Sequence, residues 1–276
     1  MNQYEELKKK KLFLLDMDGT IYLDDQLFRG TLDFLEHVKS IGGRYLFLTN
    51  NSSRGVDSYV AKLTRLGIPA CPEDFLTSVD ASIAFLKKKY GAHVWKKKIY
   101  LMGTESFRNQ MEEEGFLLTD TPDEDVEILL MGFDRELTYR KLEDASWLLT
   151  KGKVEYFATN PDWVCPTAWG SVPDCGSMAQ MLEHATGRLP YFIGKPQPDM
   201  VLMALEKYGY EPEEAVLMGD RLYTDIACGA NAGIDTIFVL SGEGTLADLE
   251  TSQVKPTYIM ENIEEIYLRI MGGAAE

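Results

Sequence analysis

The chain has 276 residues, 45% hydrophobic and 26% charged, a composition that suits a folded protein of one elaborated domain or two. Its net charge of −16 argues against a nucleic-acid partner, since phosphate backbones are gripped by clustered Lys and Arg, and the runs Lys8–Lys11, Lys87–Lys89 and Lys96–Lys98 read as solvated faces and element ends. No stretch approaches the ~18 apolar residues of a membrane span, and Cys71, Cys165, Cys175 and Cys228 form neither a disulfide framework nor a zinc motif, so a cytoplasmic protein with reduced thiols and no membrane partner is expected.

The first predicted strand is Leu12–Leu15, and its end carries Asp16-Met17-Asp18-Gly19-Thr20. Asp16 also cuts the apolar run too short for a signal peptide. Ile21 to Phe28 reads as a turn or hairpin with Asp24-Asp25 at its tip. A helix follows from Thr31 to Ile41, with Phe34, Val38 and Ile41 on one face, and Tyr45–Leu48 is a second buried strand ended by Thr49-Asn50-Asn51-Ser52-Ser53. Strand, helix and strand in this order make the βαβ unit of a parallel sheet.

Helices are predicted over Val56–Leu66 and Ser78–Tyr90, the latter burying Val79, Ile83, Leu86 and Tyr90. From about residue 92 come strands at Ile99–Met102, Val126–Met131 and Tyr156–Ala158, with helices at Glu105–Glu114 and Thr138–Thr150. These elements either extend the first sheet or build a second small domain. The segment Thr159–Pro173 resists regular assignment. It is either a functional loop or a loop pinned by Trp163 and Trp169 in a hydrophobic seam.

The last third returns to βα alternation, with a helix over Gly176–Thr186 and a strand at Tyr191–Ile193 leading into Gly194-Lys195-Pro196. A helix bearing Val201, Ala204, Leu205 and Tyr208 precedes the strand Ala215–Met218, which ends in Gly219-Asp220. Asp225 opens the helix containing Ala227 and Ala230, Ile237–Val239 is the final core strand, and Ile263–Ile270 is the terminal helix.

Four predicted strand ends therefore carry polar groups: Asp16 with Asp18, Thr49 with Asn50, Lys195, and Asp220 with Asp225. Each alone is an ordinary turn or helix entry. If the strands are parallel neighbours, the groups line one edge, where ligands bind in open α/β sheets. So many carboxylates require a cation, and hard oxygen donors suit Mg²⁺ with a substrate phosphate. Lys195, the Thr49 hydroxyl and backbone N–H groups near Gly19 and Asn50 fit a phosphoryl group, within reach of carboxylate attack by Asp16.

With these residues in order, the chain resembles the haloacid dehalogenase superfamily of phosphohydrolases. Asp16-Met17-Asp18-Gly19-Thr20 matches the first motif, Leu48-Thr49-Asn50-Asn51 the second, Lys195 in Gly-Lys-Pro the third, and Gly219-Asp220 with Asp225 the fourth. Ala158-Thr159-Asn160-Pro161-Asp162 and Gly219–Ile226 point to the 4-nitrophenylphosphatase or NagD-type branch. The resemblance covers nearly the whole chain. It implies an α/β fold, with a Rossmann-like parallel-sheet core at residues 1–79 and 180–276 and an inserted α/β cap of the C2 type at 80–179.

By position, the resemblance makes Asp16 the nucleophile and Asp18 the general acid and then base. Mg²⁺ would be held by Asp16, the Asp18 carbonyl and Asp220, with Asp225 behind them or at a bridging water. Thr49, Asn50 and Lys195 would grip the phosphoryl group, with Gly19 and Asn51 nearby, and Asn160, Asp162 and Cys165 would face the substrate from the cap. Mammalian pyridoxal phosphatases carry a histidine where this chain has Cys165, although Trp163 and Trp169 still suit stacking on a ring.

The expected partner is a small-molecule phosphate ester, chosen by the cap among sugar phosphates, nucleoside monophosphates, glycerol phosphate and pyridoxal phosphate. Relatives are often dimers or larger, so a homo-oligomer is compatible with the resemblance. Two other readings share the residues: transfer to an acceptor other than water, and a phosphoacceptor module of receiver type. Receivers are much shorter, and the second aspartate, Asp18, favours turnover by water.

Overall fold

The computed structural model describes residues 4–151, 153–167 and 169–272. In chain order the strands are β1 (Leu12–Leu15), β2 (Tyr22–Leu23), β3 (Gln26–Leu27), β4 (Arg44–Thr49), β5 (Phe75–Thr77), β6 (Lys98–Met102), β7 (Leu117–Thr119) and β8 (Ile128–Met131). They continue with β9 (Glu155–Ala158), β10 (Val164–Thr167), β11 (Gly170–Pro173), β12 (Tyr191–Phe192), β13 (Ala215–Gly219), β14 (Asp235–Val239) and β15 (Tyr258–Met260). The chain divides into two compact units: Met1–Thr49, Val60–Leu76 and Lys195–Glu276 form the first, and Asn50–Tyr59 with Thr77–Gly194 the second. The sequence expectation set its boundaries at 79/80 and 179/180.

The first unit contains a six-stranded sheet in the order β15-β14-β13-β1-β4-β5. β1 is central and runs parallel to both neighbours, pairing Leu15 with Phe47 on one side and with Met218 on the other. All four of its residues are fully buried, as expected of a continuous apolar run covered on both faces. The ring of Phe13 meets Phe34 of the helix Thr31–Ser40 edge-on at 5.3 Å. The predicted hairpin is present as β2 and β3, with Asp24 in a left-handed conformation at its tip.

The second unit holds a separate sheet in the order β12-β9-β8-β6-β7, with parallel pairing throughout. Leu129, Met131 and Ala158 pack there with Leu148 and Leu149 of the helix Tyr139–Lys151 and with Met178, Ala179 and Leu182 of the helix Cys175–Thr186. A second sheet, and not an extension of the first, is thus what residues 98–192 build.

Several expectations need correction. Tyr191–Phe192 pairs with Phe157 and Ala158 in the second sheet, so the strand preceding Lys195 is no neighbour of β1. Ile237–Val239 is followed by a further strand, β15, and β5 and β7 were not anticipated; at three residues each, none shows a readable periodicity. Thr159–Pro173 contains an antiparallel hairpin pairing Cys165 with Val172, concealed by Pro166 and Pro173, which suit only an edge; Ala168 lies outside the described residues. Trp163 and Trp169 are 50% and 77% exposed, so they do not pin a hydrophobic seam. Asp225 lies in a π-helical turn, Leu222–Ile226, that precedes the helix Ala227–Asn231.

Lysines of all three runs lie against acids, although Lys10, 4% exposed, departs from their reading as solvated faces. Lys8 meets Glu5, Lys10 meets Asp235, Lys87 meets Glu114, and Lys97 and Lys98 meet Glu127 and Asp123. Among the described residues no helix is long and apolar enough to cross a membrane.

Candidate active site

The strand order brings three of the four polar strand ends together. Asp16 directly follows β1, and its N–H donates to the Met218 carbonyl of β13 at 2.9 Å. Thr49 is the last residue of β4 and is buried, while Asp220 follows β13. These are the carboxyl ends of three adjacent parallel strands, where an open α/β sheet leaves its crevice.

Lys195 arrives by a different route, on the segment after β12, and its peptide to Pro196 is cis. Lys195 is 2% exposed, and its ammonium donates to Asp16 Oδ1 at 2.6 Å, Asp225 Oδ1 at 2.6 Å and the Leu48 carbonyl at 3.3 Å. Burial opposes the charge, but Asp16 and Asp225 outweigh it and hold the ammonium's pKa above its ordinary value. The other Asp225 oxygen accepts the Arg221 N–H at 3.2 Å, so the π-helical turn aims this carboxylate inward.

Asp16, Asp220 and Asp225 each place a carboxylate oxygen within 4.8 Å of the others. Burial raises the pKa of Asp16 well above the ordinary carboxylate value, opposed by Lys195 and reinforced by Asp225 and Asp220. Burial, followed by the charge of Asp225, pushes Asp220 up to about 6, although Asp220 Oδ2 accepts the Glu243 N–H at 2.7 Å. One ammonium among three carboxylates leaves the cluster short of positive charge. A hard divalent cation fits both this deficit and the all-oxygen donor set.

Gly19 makes room for the cluster. It adopts φ of +85°, and a Cβ there would meet Asp220 Oδ2 at 2.5 Å. Asp18 is the exposed member, its side chain 55% accessible. Tyr22 donates its hydroxyl to Asp18 Oδ2 at 3.3 Å, and Lys62 lies 3.7 Å from Asp18 Oδ1 and 3.7 Å above the Tyr22 ring. The sequence reading missed both residues, because a lysine on a helix and an aromatic in a hairpin carry no distinguishing pattern.

The remaining candidates lie in the second unit. Asn50 donates its side-chain N–H to Asp162 Oδ2 at 2.7 Å, and Asn160 donates to the same atom at 2.8 Å and to Asp174 Oδ1 at 3.0 Å. Asn51 Oδ1 accepts both the N–H and the hydroxyl of Ser53, closing a local turn. Cys165 is partly buried in β10 and packs against the second unit's core.

The family model for haloacid dehalogenase-like hydrolases matches residues 13–117, and a related HAD-hydrolase-like model matches residues 192–266. The chain belongs to the haloacid dehalogenase-like hydrolases. It is an enzyme of the phosphatase type within that family. It is 33% identical over 260 residues to an acid sugar phosphatase of Staphylococcus aureus, covering 94% of this chain and 97% of that one.

Two solved haloacid dehalogenase-like structures resemble it closely. A 4-nitrophenylphosphatase of Thermotoga maritima superposes with a TM-score of 0.87 at 42% identity, covering 95% of this chain and 98% of that one. A glycerol phosphate phosphatase of Mycobacterium tuberculosis, solved in complex with calcium, gives 0.86 at 28% identity, over 95% of this chain and 76% of that one. The same Mycobacterium tuberculosis enzyme has also been solved in complex with magnesium.

Proposed function

We propose that this chain hydrolyses small-molecule phosphate monoesters through an aspartyl phosphate on Asp16. The observation that carries the reading is the Asp16–Lys195–Asp225 bridge beside Asp220, at the end of the central strand. Lys195 fixes the Asp16 carboxylate and supplies positive charge where a phosphoryl group would gather negative charge. Mg²⁺, held by Asp16, the main-chain carbonyl of Asp18 and Asp220 with Asp225 behind them, would neutralise phosphoryl oxygens when bound.

In the first step an Asp16 oxygen bonds to phosphorus as the bond to the ester oxygen breaks, and Asp18 gives that oxygen a proton. In the second, the Asp18 carboxylate takes a proton from water as the water oxygen bonds to phosphorus and the bond to Asp16 breaks. Thr49, Lys195 and the main chain at Gly19 and Asn50 orient the phosphoryl group. The accessibility of Asp18 suits a group that must meet both a leaving group and water.

We assign the second unit the role of a C2-type cap that selects the substrate, and place the enzyme in the cytoplasm, which suits its free cysteines. The likeness to an acid sugar phosphatase and a glycerol phosphate phosphatase supports a small phosphorylated polyol or sugar as the substrate class. The test is hydrolysis of 4-nitrophenyl phosphate with Mg²⁺, abolished by EDTA and by Asp16→Asn. Undiminished turnover in a folded Asp16→Asn protein overturns the assignment.

A further inference from the structure

Resting on the phosphatase reading, we infer that Asp162 and Asn160 are positioning residues that pin Asn50 and the peptide after Thr49, and do not touch the substrate. Asn50 follows the last residue of β4 directly, so its placement sets how the chain leaves the strand end. It is held from several sides within the second unit. Its side-chain N–H donates to Asp162 Oδ2 at 2.7 Å, and its carbonyl accepts the Ser78 hydroxyl at 2.7 Å. Its Oδ1 lies against Gly194, where a Cβ would come within 2.6 Å of it and within 2.5 Å of the Thr159 carbonyl. Only a residue without a side chain allows that approach.

Asp162 is itself held. It is 2% exposed, and its Oδ2 accepts from Asn50 and from Asn160, the latter 1% exposed. Asn160 Oδ1 accepts the Thr159 hydroxyl at 2.7 Å, and that hydroxyl lies 3.0 Å from Ser52 Oγ, which accepts the Phe133 N–H at 2.8 Å. The main chain at Asp162 is fixed as well, its carbonyl accepting the Gly176 N–H at 2.8 Å. Buried and with its Oδ2 shared between two amides, Asp162 acts through them. Networks of this kind specify one arrangement, because any member left unsatisfied in a buried setting is costly.

A positioning role and a substrate-binding role differ in what they do to different substrates. The experiment measures kcat and KM of wild type, Asn50→Ala, Asp162→Ala and the double variant on 4-nitrophenyl phosphate and on glycerol phosphate. The expected result is a loss of kcat by about tenfold or more in each single variant, by the same factor on both esters, with the double variant no worse than the poorer single one.

Asp162→Asn keeps an oxygen where Asn50 and Asn160 donate, and it is expected to keep activity within about threefold. Losses that multiply in the double variant, a different factor for the two esters, or a folded Asp162→Asn protein as impaired as Asp162→Ala would each overturn the inference. If Asp162→Ala fails to melt cooperatively, the Asp162→Asn arm decides. A wild type inactive on both esters would instead count against the phosphatase reading.

Discussion

Replacing Asp220 with Asn should make the metal-free protein more stable while removing its response to a divalent cation. Asp220 is 3% exposed, and its carboxyl is pushed from 3.8 to about 6 by burial and then by the charge of Asp225. A folded-state pKa above the unfolded value means that the native protein holds the proton more tightly. Stability is therefore lost as pH rises between about 4 and 6, and the full cost is present above that window. The difference corresponds to ~3 kcal/mol.

Asn at position 220 retains an oxygen to accept the Glu243 N–H but carries no charge, so it removes this cost and also relieves Asp16. In EDTA at pH 7.5 the variant should melt several degrees higher than wild type, at roughly 2–4 °C per kcal/mol, and the two should converge near pH 4. With millimolar Mg²⁺ the order should invert, because only wild type gains binding energy. Scanning calorimetry with and without Mg²⁺ at both pH values reads this out. A variant less stable than wild type in EDTA at pH 7.5, with an equal Mg²⁺ shift in both, would refute the electrostatic reasoning.

Two further substitutions probe the neighbours of the cluster. Lys195→Met leaves Asp16 and Asp225 without their shared ammonium and should cost about 3–5 kcal/mol in urea denaturation at pH 7.5; a cost under 1 kcal/mol would show that the bridge is not formed in solution. Lys62→Met removes the cation beside Asp18 and Tyr22 but no buried group. It should leave the melting temperature within a few degrees and reduce turnover about two- to tenfold, more for an alkyl phosphate than for 4-nitrophenyl phosphate, whose leaving group needs little proton assistance. Equal losses on the two esters would separate Lys62 from the function of Asp18.

Asp16, Thr49 and Asp220 were legible because each follows an apolar run that could only be a buried strand. The place of β4 beside β1 then followed from ordinary βαβ connection, whereas β13 reaches the other side of β1 only after the chain has built the second sheet, and its adjacency was a condition of the reading. Lys195 was legible as a residue but not by its route. Tyr191–Phe192 is two residues long, and nothing local says which sheet such a strand will join. The hairpin bearing Cys165 was hidden by prolines that normally end strands, and its tryptophans, apolar by type, are exposed. Asn160 and Asp162 stood out as a motif, but only the fold places them around Asn50. Lys62 meets Asp18 across 44 positions of sequence, a pairing set by packing and by no periodicity.

The central claim is that Asp16 carries the phosphoryl group, and the most direct measurement uses Asp18→Asn mixed with 4-nitrophenyl phosphate and quenched in acid. Without Asp18 to activate water the second step should stall. Nitrophenolate should then appear in a burst of about one equivalent per active site, with peptide mass spectrometry locating phosphate on Asp16. Phosphate on any other residue, or nitrophenolate matched from the start by free phosphate with residue 16 unmodified, would contradict the mechanism.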